Sequence, residues 1–284
     1  MKKQNLFLLL IFMGLMLSQC DNSDNAPEVC AVQENVDSSP QIFKVLFIGN
    51  SHTYTYDIPT TIKQMAAAVG DSIFTDQETP GGFSFRQHSL HAETLSKIQS
   101  QKWDYVVLQG NGWMQALPPV MIDTASIPYA ESLRNAIKTN STSTKIILYM
   151  THGYREGVLT VDATDWCAQD PLVCDYEGMQ ERIRENYLHL AELVNAEIAP
   201  SGMMWKLILD KYPDIDLYQA DGVHASENGS YIAACAIYSM ISKRKPQNSF
   251  RPSGVSEVDA LDIQQTVSDA IFECNPDWRK YVIQ

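Results

Sequence analysis

Basic residues are in short supply in this 284-residue chain: 21 Lys and Arg stand against 34 Asp and Glu, a formal net charge of -13 at pH 7. An anionic surface repels a phosphate backbone rather than releasing its counterions, which argues against a nucleic-acid partner. Cysteine is scarce too. Six in the whole chain are too few for a disulfide scaffold, and they show neither a C-x-x-C pair nor Cys/His groups at zinc spacing, so no structural metal site is expected. There is no Gly-x-Ser-x-Gly elbow, no Walker loop, no His-Glu-x-x-His and no dinucleotide fingerprint, which argues against α/β-hydrolase, nucleotide-binding and zinc-protease chemistry. No apolar run after residue 17 is long enough to span a bilayer. What remains has the average composition of a soluble globular protein, 45% apolar and 19% charged.

The first residues read as an address. Met1-Lys2-Lys3 is followed by an apolar run from Leu6 to Leu17 that rises only about 18 Å as a helix, short of the roughly 30 Å hydrocarbon core, so residues 1–19 are expected to be a signal peptide. Leu17-Ser18-Gln19-Cys20 resembles the lipobox of bacterial lipoproteins, with Gln19 where Gly or Ala is usual. The resemblance implies export and a lipid on Cys20 as the membrane contact. Residues 20–41 are rich in Asp, Asn, Ser and Glu and poor in apolar groups, as a solvated tether would be. Cys235 lies in an apolar run and is expected to be a buried free thiol; Cys167 with Cys174 is the nearest candidate bridge, and Cys30 with Cys274 a further pairing.

From residue 42 to 284 short apolar runs alternate with helical periodicity, and no linker interrupts them, which predicts one three-layer α/β domain with a parallel sheet. Strands are expected at Phe43 to Ile48, near Ile73-Phe74, at Tyr105 to Leu108, at Lys145 to Met150 and at Glu197 to Ala199. Helices are expected from Ile58 to Gly70, Ser89 to Gln101, Ile127 to Lys138, Gly178 to Ala196, Glu227 to Ile241 and Val258 to Cys274. Residues 153–177 lack periodicity, and a loop that long is usually functional.

In open α/β sheets a site forms beyond the carboxyl ends of the strands. Those positions hold Gly49-Asn50-Ser51-His52, Gly81-Gly82-Phe83-Ser84, Gln109-Gly110-Asn111-Gly112 and Thr151-His152-Gly153, and Asp221-Gly222-Val223-His224 precedes a late helix. A serine hydroxyl needs a base to take its proton, and the base needs a carboxylate to fix its tautomer. Asp221 and His224, three residues apart, supply that pair for Ser51. An oxyanion needs donors set in advance, for which the Ser51 and Gly82 N-H groups and the Asn111 amide are candidates. Each residue also has a plainer reading: Ser51 as a helix cap, Gly82 as a turn, His224 as a surface imidazole.

The ordered set resembles the SGNH (GDSL-like) hydrolases and esterases. Phe47-Ile48-Gly49-Asn50-Ser51 is similar to the first block of that family, with Asn50 where Asp is common; Gly82-Phe83-Ser84 is similar to the second; Asp221-Gly222-Val223-His224-Ala225-Ser226 is similar to the last. The third block departs, because Gly110-Asn111-Gly112 lacks the spacer and Asp of Gly-x-Asn-Asp, which leaves Gln109 as a rival to Asn111. The resemblance implies a flavodoxin-like sandwich, no metal or organic cofactor, and acyl or acetyl ester substrates, carbohydrate esters among them. A glycan-binding lipoprotein without turnover, and a lipase or thioesterase for longer acyl chains, are the alternatives. His52 is a candidate substrate contact and His152 a competing base. His88 and His91 are expected to face inward, His189 to be solvated, and Trp113, Trp166 and Trp205 to lie either in the core or against a sugar ring.

Overall fold

The structure is a computed structural model that describes residues 32–158, 160–161, 164–247 and 250–280. The expected signal peptide, Cys20, Cys30 and most of the tether lie outside the described residues. In chain order the elements are β1 (Ile42–Ile48), α1 (Ser51–Tyr54), α2 (Ile58–Ala68), β2 (Ser72–Glu78), α3 (Phe85–Leu90), α4 (Ala92–Gln99), β3 (Tyr105–Leu108), α5 (Pro119–Ala125), α6 (Ile127–Asn140) and β4 (Lys145–Tyr149). There follow β5 (Thr160–Val161), β6 (Thr164–Asp165), α7 (Trp166–Gln169), α8 (Tyr176–Val194), β7 (Glu197–Ala199), α9 (Ser201–Lys211), α10 (Glu227–Ser242) and α11 (Glu257–Phe272). The main sheet runs β2-β1-β3-β4-β7 with every pair parallel, the flavodoxin-like order. β5 and β6 form a separate antiparallel pair.

The central strands are apolar without alternation because both faces are covered. Val45 to Ile48, Tyr105 to Leu108 and Ile146 to Tyr149 are all buried. On one side α2, α9 and α11 pack around α10; on the other α3, α4 and α8 pack on α6. From Gly229 onward every residue of α10 is buried, and a helix apolar on all sides belongs in a core. Cys235 sits on it at 0% exposure, and burial pushes its thiol well above the usual range, so it stays protonated.

Several boundaries differ from expectation, each for a local reason. The helix expected from Ser89 to Gln101 is two, because His91 adopts an extended backbone (φ -85°, ψ 119°) between α3 and α4. β2 extends to Glu78, since its pairing with β1 runs the whole length of that strand. Helix α9 has no counterpart in the sequence reading: Met203, Met204, Trp205 and Ile208 are buried, and no single apolar stripe marked it. The 153–177 segment contains α7 and a short 3-10 turn (Pro171–Cys174), stapled by the Cys167–Cys174 disulfide with Cα atoms 4.8 Å apart. Cys274 is disulfide-bonded, and Cys30, its expected partner, is outside the described residues. Among the described residues no helix is long and apolar enough to cross a membrane.

Candidate active site

β1 is followed by a crossover to β2 on one side, and β3 then adds on the other side of β1, so a crevice opens between the carboxyl ends of β1 and β3. Ser51 stands there as the first residue of α1, where its N-H has no intrahelical acceptor. Asn50 builds this turn: its Oδ1 accepts the His52 N-H at 3.0 Å and its Nδ2 donates to the Phe83 carbonyl at 2.8 Å, tying the first block to the second. Two consecutive left-handed residues, Tyr56 (φ 55°) and Asp57 (φ 47°), then turn the chain into α2, which Asp57 caps by accepting from the Thr60 N-H. Such backbone is costly for residues with a Cβ and clusters where a site needs it.

The Ser51, His224 and Asp221 side chains are in line. His224 Nε2 lies 2.9 Å from Ser51 Oγ, across 173 residues of sequence, and His224 Nδ1 lies 2.6 Å from Asp221 Oδ2. The other Asp221 oxygen accepts the backbone N-H groups of Val223 and His224, both at 2.9 Å. Partial burial alone would raise the Asp221 carboxyl, but its hydrogen bonds to the His224 ring and to the two N-H groups outweigh that and lower it to about 2. Asp221 is therefore anionic at neutral pH, accepts the Nδ1 proton of His224 and leaves Nε2 as the acceptor toward Ser51. The side chains of His224 and Asp221 are 33% and 47% exposed, so the arrangement opens to solvent.

The remaining candidates divide. Gly82 has φ +73°, a conformation that favours glycine, and its carbonyl accepts from Asn111 Nδ2 at 3.0 Å, so the second and third blocks meet. Gln109 goes elsewhere. Its Oε1 accepts from the Asn50 N-H at 2.8 Å and from Thr53 Oγ1 at 2.9 Å, and its Nε2 donates to the Gly110 carbonyl. The oxygen and one N-H of that amide are engaged beneath the serine turn. A side chain at Gly49 would collide with the same pair, since a Cβ there would lie 2.5 Å from Thr53 Oγ1 and 2.6 Å from Gln109 Oε1.

Buried imidazoles hold both loops. His88 Nε2 lies 2.8 Å from the Gly49 carbonyl with Nδ1 2.9 Å from Thr94 Oγ1, and burial lowers it to about 4 against the opposing pull of the Gly49 bond. His152 does not contact Ser51: its Nε2 lies 3.0 Å from the Val223 carbonyl, so it is spent on the backbone of the Asp221–His224 turn. His52 is 5% exposed, stacked between the rings of His224 (5.6 Å) and Tyr154 (6.2 Å), and held well below its usual range by burial first and by the nearby His152 and His224 rings second. It therefore packs against His224 as a neutral ring. His91 sits at the α3–α4 break, 3.7 Å from Glu78, and His189 is half exposed near Asp123. Trp205 is fully buried, whereas Trp113 and Trp166 pack on each other at 5.8 Å, joining the disulfide-stapled segment to the third block.

The sequence reading missed the supporting roles of Asn50, Thr53 and Gln109, and of Tyr154. The partners through which Asn50 and Gln109 join one block to another lie 33 to 59 positions away, so no local spacing announces those contacts. Among the described residues no group of three or more His, Cys, Asp or Glu could hold a metal ion. A cavity of about 620 Å³ beside β7, lined by residues that include Val32, Leu188, Ile198 and Met240, is separate from this centre, since Ser51, Gly82, Asn111, Asp221 and His224 are not among its lining residues.

Chemically, such a centre can hold a hydroxyl against an imidazole that a carboxylate orients, at the mouth of a flavodoxin-like sheet. Comparison with solved structures agrees on the fold. A DUF4886 family protein from Bacteroides uniformis superposes with a TM-score of 0.68 at 20% identity, covering 81% of this chain and 94% of that one. A putative SGNH hydrolase from Slackia heliotrinireducens gives a TM-score of 0.55 at 23% identity, covering 70% of this chain and 99% of that one. The chain thus has the α/β fold of SGNH hydrolases. No family model matches the sequence, and no curated protein matches it.

Proposed function

We propose that this protein is a serine esterase that cleaves small acyl esters through Ser51, His224 and Asp221. The observation that carries the reading is the pair of contacts at 2.9 and 2.6 Å that links a hydroxyl, an imidazole and a carboxylate in one line. Ser51 Oγ attacks the ester carbonyl as His224 Nε2 takes its proton, and Asp221 stabilises the imidazolium so formed. The carbonyl becomes an oxyanion, for which the Ser51 N-H, the Gly82 N-H and the second N-H of Asn111 Nδ2 are the donors. Collapse breaks the bond to the alcohol, which leaves with the proton from His224, and Ser51 is left acylated. Water, deprotonated by the same imidazole, releases the acid and restores the hydroxyl.

Acetyl esters of carbohydrates are the substrate class we favour. The open setting of His224 and Asp221 suits a bulky alcohol, and Tyr54, half exposed one helical turn after Ser51 on the same face of α1, offers an aromatic surface beside the nucleophile. Export and a lipid on Cys20 remain part of the proposal on the sequence pattern alone, and a diacylglycerol mass on residue 20 tests them. For the chemistry, p-nitrophenyl acetate turnover by wild type and Ser51→Ala is decisive. The expected loss is as much as roughly a millionfold in kcat, the scale seen when a nucleophile is removed from such a unit. Equal rates would eliminate Ser51. Faster cleavage of octanoyl than acetyl esters would favour the lipase or thioesterase alternative, and oligosaccharide binding with no cleavage the binding-protein alternative.

A further inference from the structure

His152, three residues beyond Tyr149 at the end of β4, has no step in the chemistry above, yet it touches the turn on which that chemistry depends. It is 1% exposed, and its ring lies flat on the Trp205 indole, with centroids 3.7 Å apart and planes 3° from parallel. The Tyr218 ring meets its edge at 5.7 Å, and the Tyr218 hydroxyl donates to the neighbouring Gly153 carbonyl at 2.7 Å. These neighbours hold the ring plane. Its Nε2 lies 3.0 Å from the carbonyl of Val223. A carbonyl only accepts, so Nε2 must carry a proton.

Val223 is the residue immediately before His224, inside the Asp221–His224 turn. Within that turn the Asp221 carboxylate binds the Val223 and His224 N-H groups. Those bonds are internal and say nothing about where the turn sits relative to Ser51. External fixtures do: the Arg155 N-H donates to the Gly222 carbonyl at 2.8 Å, and His152 takes the next carbonyl along. Both come from the β4 loop, which ties the base to the sheet that also carries the nucleophile. Burial, opposed by the Val223 bond, lowers His152 to about 4, and the ring is therefore neutral when His224 becomes an imidazolium beside it.

We propose that His152 is a positioning residue for the base: its Nε2-H, held in register by the Trp205 stack, sets the Asp221–His224 turn so that His224 Nε2 stays in reach of Ser51 Oγ. This rests on the esterase reading and adds to it a residue outside the triad. Two variants separate ring from proton. His152→Phe keeps a flat ring for Trp205 and removes the donor; His152→Gln keeps a donor and gives up the ring. With p-nitrophenyl acetate, His152→Phe is expected to lower kcat about ten- to a hundredfold, as an unsatisfied buried carbonyl relaxes the turn, with KM changed less than about twofold. His152→Gln is expected to recover part of the loss, because it restores a donor to the Val223 carbonyl without the Trp205 stack that holds it in register. A Phe variant at wild-type kcat, a Gln variant as slow as Phe, or a loss confined to KM would overturn the proposal. The wild-type ring gives a test that needs no variant: its nitrogen-15 shifts should report the Nε2-H tautomer near neutral pH, and the Nδ1-H tautomer would refute the clamp. Activity that survives Ser51→Ala overturns the esterase reading, whereas activity abolished there but untouched in His152→Phe overturns only the positioning role.

Discussion

Mild acid should destabilise this protein before its carboxylates are protonated, because two buried imidazoles cannot take up protons until the pH is far below their ordinary range. His88 and His152 both stand at about 4 in the folded chain, against 6.5 for an unhindered imidazole. Above the unfolded value both states are neutral there and stability is indifferent to these groups. Between 6.5 and 4 the unfolded chain binds protons that the native chain refuses, so stability falls as pH falls, and below the folded value the loss levels off. The full gap is worth roughly 3 kcal/mol per imidazole, and the part lost between about pH 7.5 and about pH 5 is roughly 2 kcal/mol each, or about 4 kcal/mol for the pair. Against a typical total of about 5–15 kcal/mol that is a large fraction. His52 acts in the same direction, since burial holds it low as well. Urea unfolding at the two pH values measures the difference directly. Removing one of the imidazoles in His152→Gln should shrink the difference by about half of the pair's contribution. A wild-type stability that is flat from about pH 7.5 to about pH 5, or a Gln variant with the same pH dependence as wild type, would refute the claim that buried neutral histidines set the acid limit.

Two further substitutions probe the serine turn and the triad. Asp221→Asn removes the anion while keeping the side-chain shape, which denies His224 its Nδ1 acceptor charge; kcat for p-nitrophenyl acetate should fall on the order of ten-thousandfold with little change in thermal midpoint, and a loss of less than about tenfold would show that Asp221 is only a turn residue. Gly49→Ala places a Cβ against Thr53 Oγ1 and Gln109 Oε1, neither of which is free to move without breaking the bonds to Asn50 and the serine turn. It should destabilise by about 1–3 kcal/mol in urea and depress activity further than stability alone explains, and an unperturbed midpoint would show that the turn is more compliant than these contacts imply.

How far the sequence could be read depended on the range of each interaction. Strands β1, β3 and β4 were legible because a parallel strand buried on both faces carries a short unbroken apolar run, α2, α6, α8 and α11 because their caps and apolar faces repeat locally, and α10 because a long, nearly unbroken apolar run follows its Ser226 cap. Helix α9 was not, since its apolar residues run together as Met203-Met204-Trp205 and Leu207-Ile208-Leu209 instead of recurring at helical spacing. The break at His91 was not either, because it depends on how α3 and α4 each pack rather than on a breaker residue. The pairing of Cys167 with Cys174 could be anticipated from nearness alone.

Chemistry-bearing residues at strand ends, and their order along the chain, were determined by the sequence itself, because the periodicity that makes a strand also says where it stops. Tertiary structure alone decided where each amide would bond: Asn111 reached the Gly82 loop, and Gln109 turned under Ser51 to hold Asn50 and Thr53. It alone decided that His152 would grip the Val223 carbonyl rather than compete with His224. Side chains at neighbouring positions leave the backbone in different directions, and which direction finds a partner depends on groups dozens of residues away that only the folded sheet brings within hydrogen-bond reach.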